Sequence, residues 1–499
     1  MTPAHFLRLA ALTAILTACN FPTRRLSLDQ IYATMDAVTP MATSTFPPTP
    51  SPDPQSTPVP TRQPFPVTEP AGSTFLYTTR SGDTLEALAR RFSVEAGQIV
   101  TGVQLPVAGY LPIGEELQIP NLVEAMSPGG DLLPDGELVY SPAAADFDLA
   151  SFIASSGGYL SFHSEEVQGV VLGGPAIVQR VADENSVNPR LLLALLEMRS
   201  GWVYGAPIDA DRLEYPLGFR ISGRTGLYQE LSVGATQLNL GYYGWRDGSM
   251  VETTYSGGRT TRWNPTLNAG TVAVLRLYAL WSGDGWMNEA SAFSQRYEAM
   301  FGDAWSRAEA AGPVLPAGLS SPTLELPFAP GQYWGLTAGP HNAWTSGTPR
   351  SALDLSPISG GDPCDVSPWW VTASAPGVIA RAASNAVVLD LDGDGRESTG
   401  WVLVYYHLAD GGLVAPGTRV AEGDPLGHPS CQGGRATGKH VHFTWKYNGE
   451  WIPADGAVPL VLSGWRVVAD PRNYYGSMIR DGQEVRSDSG GARGSTVWR

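Results

Sequence analysis

The chain of 499 residues has only three cysteines, 16% charged residues, and no cluster of basic side chains. Its 32 Lys and Arg face 48 Asp and Glu, a formal net charge of −16. Nucleic-acid binding is excluded on this ground, because neutralising a phosphate backbone requires grouped cations. One cysteine, Cys19, lies in the first hydrophobic stretch, which leaves Cys364 and Cys431 free to form one disulfide in an oxidising compartment. No second long apolar run follows the first, so the rest of the chain is expected to be exported and soluble. Also missing is a histidine four residues before Asp354, where a short-spaced metal motif would have one; Arg350 stands there instead. What is plentiful is Gly (57) and Pro (41), which with the low charge points to a loop-rich, β-leaning chain of two to four domains.

The start, "MTPAHFLRLAALTAILTAC", has a short polar lead with Arg8 and then an apolar run too short for an ordinary membrane span. Its end, "LTAC", resembles the bacterial lipoprotein lipobox. That resemblance implies that residues 1–19 are a signal peptide and that Cys19 is lipidated, holding the protein at the outer face of a cell membrane or envelope. Residues 20–74 form a linker, rich in Pro, Thr and Ser through "TPMATSTFPPTPSPDPQSTPVPTRQPFPVTEPAG". With so few aliphatics it cannot bury a core, and its prolines keep it extended as a spacer.

Residues 75–121 read as strand, turn, amphipathic helix ("TLEALARRF"), second helical stretch and closing strand ("ELQIP"). "YTTRSGDTLEALARRFSV" and "LPIGEELQIP" resemble a LysM domain, a βααβ module that binds peptidoglycan glycan. Residues 150–315 show helical spacing in "GGPAIVQRVADENSVNPRLLLALLEMRSGWV", with "ENSVNP" dividing two helices. This part resembles a lysozyme-like, transglycosylase-type domain, in which a catalytic Glu directly precedes Ser-Gly. Here "EMRSGW" puts Arg199 in that place, and an arginine cannot be a protonated general acid. Glu197, two residues earlier, points to another helix face. The expectation is a degenerate glycan-binding or structural module.

Residues 322–476 read as a β domain, with short strands such as "AVVLDLD", "WVLVYYHL" and "HVHFTWKYNG" between turns, and residues 477–499 as a mobile tail. Five of the seven histidines lie between positions 341 and 442. In "TGKHVHFTW", His440 and His442 are two apart, so in a strand they share a face. His407 in "YYHL" sits on another strand. A catalytic zinc needs about three N or O ligands and an open position; Asp354, His442 and one more histidine meet that count. "DLDGDG" (Asp390, Asp392, Asp394) starts like a calcium loop but lacks an acidic residue at the twelfth place, and a polar hairpin is the expected reading.

"SALDLSP", "YYHL" and "ATGKHVHF" together resemble the lysostaphin-type zinc metallopeptidases, which cut peptidoglycan peptides. One branch, the β-lytic or staphylolysin-like endopeptidases, has a histidine thirteen residues before the aspartate, the spacing of His341 and Asp354. The resemblance implies Zn2+ held by His341, Asp354 and His442. It makes His440 the general base and has His407 stabilise the oxyanion or orient substrate. It also implies a Cys364–Cys431 disulfide and a supporting tyrosine at Tyr474 or Tyr475. The resulting expectation is a multidomain α+β chain: LysM unit, helical lysozyme-like domain and antiparallel β-rich metallopeptidase domain. It would be a surface-anchored endopeptidase whose partners are peptidoglycan glycan, its stem and cross-bridge peptides, and the membrane. The rival reading is a non-catalytic lipoprotein of similar domain order that activates cell-wall amidases.

Overall fold

The computed structural model describes residues 72–499 apart from 107, 124, 256, 257 and 492. The signal peptide, Cys19 and nearly all of the linker therefore lie outside the described residues. Among the described residues, no helix is long and apolar enough to cross a membrane.

The first unit pairs strand Thr74–Thr78 antiparallel with strand Glu116–Pro120. Alternation sends Phe75, Tyr77, Leu117 and Ile119 inward, where they meet Leu88 and Phe92 of helix Leu85–Phe92. Thr84 caps that helix by accepting from the Ala87 amide. The expected second helix is only a three-residue 3-10 turn, Ala96–Gln98. Gly97 and Gly102 raise the entropic cost of a longer helix, and Pro106 has no amide to continue one.

The helical unit begins upstream of residue 150. Helix Asp135–Leu138 already contributes Leu138 to its core. "ENSVNP" does divide two helices: Ser186 turns left-handed after Gly174–Asn185, Asn188 caps the next, and Pro189 opens Pro189–Ser200. Leu191 through Leu196 are all fully buried, so Pro189–Ser200 is a central helix enclosed on every side. Helix Leu227–Arg246 packs alongside Ala269–Trp281 and Gly174–Asn185.

The C-terminal unit is built on a nine-stranded antiparallel sheet. Its central strands, Trp401–Tyr406, Val441–Tyr447, Arg350–Pro357 and Tyr333–Asn342, lie side by side in that order. Val441–Tyr447 is buried on both faces, because the helical unit covers the face opposite the core. Even Lys446 is fully buried, paired with Glu397 and reaching Ser186. One apolar cluster runs continuously through both units, so the boundary between them is a packed interface.

The tail expectation is corrected. Residues 476–498 contain strands Gly476–Arg480, Gln483–Arg486 and Thr496–Trp498. The last adds to the main sheet beside Tyr333–Asn342, with Val497 fully buried and Trp498 packed on Trp465. The short "TVW" run is apolar enough to close an open sheet edge, which a glycine-rich approach had disguised.

Candidate metal centre

The sheet register places the site. His442 lies directly opposite Asp354, so both side chains leave the same face. On the other side of Arg350–Pro357, Ala338 pairs with Asp354 and His341 with Ala352. Three steps on one strand match two on the other, which is a one-residue bulge. In a regular, unbulged strand His341, three places after Ala338, would point to the opposite face from Asp354. The bulge is made at Gly339-Pro340. A Cβ on Gly339 would come within 2.5 Å of the Gly476 nitrogen, and Pro340 has no amide to leave unpaired.

The three side chains converge, with their potential ligand atoms within 4.8 Å of one another. His341 Nε2 is 3.0 Å from His442 Nδ1. Asp354 Oδ1 is 3.3 Å from the first and 3.2 Å from the second. The outer nitrogens settle the tautomers, because a carbonyl oxygen only accepts. His341 Nδ1–H donates to Gly339 O at 2.9 Å, and His442 Nε2–H donates to Ala343 O at 2.9 Å. In the neutral rings both inner nitrogens therefore carry lone pairs, facing each other and a buried carboxylate oxygen. Three acceptors without a proton repel one another; a cation at their centre relieves this, and backbone bonds to the outer nitrogens are the usual support for histidine ligands. Two imidazoles and a carboxylate are a donor set that suits zinc and supply three of its usual four ligands.

The electrostatics agree. Burial alone would raise Asp354, but His341, then His442 and His440, hold its carboxyl well below the usual range. Burial pushes His341 down, yet the Asp354 carboxylate outweighs it and raises the ring overall, the pull of an anionic site on positive charge. Burial pushes His442 down, and a neutral ring is the ligand form.

His440 stands beside this group, Nε2 3.7 Å from Asp354 Oδ1, and donates its Nδ1–H to Gly438 O at 2.7 Å. His407, with its ring centroid 4.5 Å from that of His440, ends strand Trp401–Tyr406 in a left-handed conformation (φ 66°). Burial first, then His440, pushes its pKa down to about 4. Its Nδ1–H donates to Gln432 O at 3.0 Å, so Nε2 carries no proton at neutral pH. Of the two roles expected for His407, stabilising an oxyanion needs a proton that this tautomer lacks; orienting substrate by accepting a hydrogen bond does not.

Tyr474 stacks on His341 at 4.6 Å, whereas Tyr475 faces outward under Arg472. Arg350 lies away from the ligands. It donates to Asp470 O at 2.5 Å and fastens the segment that carries Tyr474. Trp344 packs against Tyr406 with ring centroids 4.6 Å apart and planes tilted by 47°, an aromatic wall beside His407 whose two halves come from distant stretches of sequence. Cys364 and Cys431 are joined, with Cα atoms 5.2 Å apart.

The remaining candidates fall elsewhere. Asp390, Asp392 and Asp394 sit in the turn after strand Ala386–Asp390, in the hairpin leading to Trp401–Tyr406. Both Asp390 oxygens accept backbone amides, from Asp392 and Gly395. In the helical unit, Glu197 accepts the Val203 and Tyr204 amides and closes the turn after its helix. Arg199 lies over Trp281 and donates to Leu217 O. Neither is placed as a catalytic acid. No local sequence pattern marks Glu230, a fully buried carboxylate whose Oε2 accepts three consecutive amides, Leu217 to Phe219, and so anchors that loop.

Comparison with known proteins accords with this geometry. Residues 131–314 match the model of the LasA N-terminal domain, and residues 367–454 match that of peptidase family M23. Protease LasA of Pseudomonas aeruginosa is 28% identical over 379 residues, covering 72% of this chain and 81% of LasA. The β-lytic metalloendopeptidase of Achromobacter lyticus is 32% identical over 167 residues, 32% of this chain and 41% of that protein. The solved structure of the deep-sea M23 metalloprotease pseudoalterin is 28% identical, covering 36% of this chain and all of that one, with a TM-score of 0.30. The β-rich C-terminal part of the chain thus matches peptidase family M23, the lysostaphin type, and LasA and the β-lytic metalloendopeptidases are among its homologues.

Proposed function

We propose that the protein is a surface-anchored zinc metalloendopeptidase that hydrolyses peptide bonds in bacterial cell-wall peptidoglycan. The observation that carries the reading is the meeting of His341 Nε2, His442 Nδ1 and Asp354 Oδ1, with each histidine fixed by a backbone carbonyl at its far nitrogen. A zinc ion held there supplies Lewis acidity toward the scissile carbonyl and makes water a stronger acid. The protein's own groups do the rest. His440 Nε2, free of its proton, accepts one from the attacking water and returns it to the departing amine. His407 accepts a hydrogen bond from the substrate backbone and aligns it. Trp344 and Tyr406 flank the cleft and shield it from bulk water.

The cell-wall substrate and the location rest on sequence. The lipobox at Cys19, the spacer that follows and the LysM-like unit suit an enzyme tethered near a glycan mesh. The relatives named protease and metalloendopeptidase accord with peptide-bond cleavage. The complete ligand set argues against a non-catalytic activator, which would have no use for it.

A soluble chain of residues 20–499, without the lipidated Cys19, should hold about one zinc per molecule and release peptides from purified peptidoglycan, read by mass. His341→Ala should lower zinc affinity and activity by at least about 10- to 100-fold. Peptidoglycan cleavage that persists in His341→Ala, or a wild-type chain that binds no zinc, would falsify the reading.

A further inference from the structure

Strand Val441–Tyr447 carries His442 but starts one residue after His440. Its pairing with Arg350–Pro357 also ends at Val441, opposite Leu355. His440 therefore lies beyond the last ladder position of the strand that supports the metal ligands. Its neighbour Lys439 points to the opposite face. There Lys439 is only 7% exposed. Its ammonium donates to Gly360 O at 2.6 Å and Asp362 O at 3.0 Å. Its amide donates to Pro363 O at 2.6 Å, and its carbonyl accepts from Ser356 Oγ at 2.8 Å.

The receiving segment is shaped for this. Gly360 and Gly361 are both left-handed, at φ 69° and 78°, a turn that consecutive residues with a Cβ resist. The next residues complete a ring: Cys364 is bonded to Cys431, and Ser430 forms a bridge with His440. A closed loop of contacts thus runs from His440 through Lys439, residues 360–364, the disulfide and Ser430 back to His440. A buried ammonium held by carbonyls is a strong, directional fastener, because each bond is charge-assisted.

We infer that Lys439 and the disulfide-tethered loop 360–364 form a latch that positions His440 for proton transfer, with Lys439 a positioning residue for the reaction. The inference rests on the peptidase reading above and deepens it. The latch grips the chain on the face away from the ligands, so its loss should blur the aim of His440 while leaving the ligands in place.

The test compares wild type, Lys439→Met, Lys439→Arg, the pair Cys364→Ser/Cys431→Ser, and the three substitutions Lys439→Met/Cys364→Ser/Cys431→Ser together. Lys439→Met should lower kcat about tenfold or more on a defined muropeptide, as misplacement of a reacting group does, with KM and zinc content unchanged. Amide exchange in residues 437–441 should quicken about tenfold. Lys439→Arg, which retains donors, should recover part of the rate. Loss of the disulfide should have the same effect as Lys439→Met, and the triple variant should be no worse than either, because the two act through one element. An unchanged kcat, a loss matched by loss of zinc, or strictly additive effects would overturn the latch. The exchange measurement reads it even if wild type proves inactive: unchanged exchange in Lys439→Met would overturn it, whereas inactivity of wild type counts against the peptidase reading.

Discussion

At the scale of single residues, the site depends on which nitrogen of each histidine is free. His442 offers Nδ1 and His341 offers Nε2, because Ala343 O and Gly339 O take the other nitrogen of each. Another residue-scale choice lies at the interface of the two large units. Asp183, whose carboxylate accepts from Gln179, is raised to about 7, by burial first and by the Glu397 carboxylate second. Glu397 itself is held at about 2, because Arg381 and then Lys446 outweigh its burial. The signs are opposite. Asp183 keeps its proton when folded at pH values where the unfolded chain has released it, so its ionisation costs stability as pH rises from about 4 to about 7, with a slope of at most about 1.4 kcal/mol per unit. Glu397 stabilises above its unfolded pKa, near 4.5, and that contribution is lost as pH falls toward about 2. Asp183→Asn should thus gain stability relative to wild type at pH 8 but not at pH 4, read by denaturant unfolding at both values. Equal differences at the two pH values would disprove it.

At the scale of elements, a bulge and an added strand do the positioning. The extra residue at Gly339-Pro340 turns His341 to the ligand face, and the lack of a side chain on Gly339 admits the backbone of Tyr475 and Gly476. Gly339→Ala should therefore cost about 1–3 kcal/mol, as overpacking does, and should also weaken zinc binding because Tyr474 and His341 move with it. Denaturant midpoints and zinc titration would reveal a Cβ that is accommodated without effect. Strand Thr496–Trp498 completes the edge next to His341's strand. Removing residues 496–499 takes away the packing of Val497 and Trp498, uncovers Trp465 and the strand edge they cover, and breaks the Arg499 pairs with Glu325 and Glu422. The expected loss is on the order of 2–4 kcal/mol from the two side chains; a truncated chain of unchanged stability would restore the mobile tail.

At the scale of the whole molecule, the helical unit and the peptidase domain are one packed body. A Cβ on Gly449 would lie 2.0 Å from Tyr140 O, and one on Gly347 would lie 2.3 Å from Thr236 O. Gly347 belongs to the loop whose Ala343 carbonyl orients His442, so helix Leu227–Arg246 presses on the support of a ligand. Tyr242 and Arg246 from that helix also hold the buried Glu450. Because one apolar cluster spans both units, they should unfold in a single transition. Gly449→Ala should lower its midpoint and speed amide exchange at residues 183–187 and 446–450 together. Two separated transitions in wild type would contradict this.

Much of the site was legible along the chain. His440-x-His442, Asp354 in "SALDL" and His407 in "YYHL" are local patterns, and the two-residue period of a strand puts His440 and His442 on one face without further information. The helix pair divided at "ENSVNP" is local too, because Asn capping and Pro at the first turn act within a few residues. What the chain by itself determined is therefore composition, the elements and the roster of chemically able side chains. Tertiary structure alone decided which of them meet. The face of His341 depends on a bulge defined only against a neighbouring strand, and the tautomers depend on carbonyls up to about a hundred residues away. Likewise, Val497 is core and not tail because a sheet edge lies open to receive its strand. Hydrogen bonds and packing across strands are relations between distant residues, and no local pattern encodes the partner.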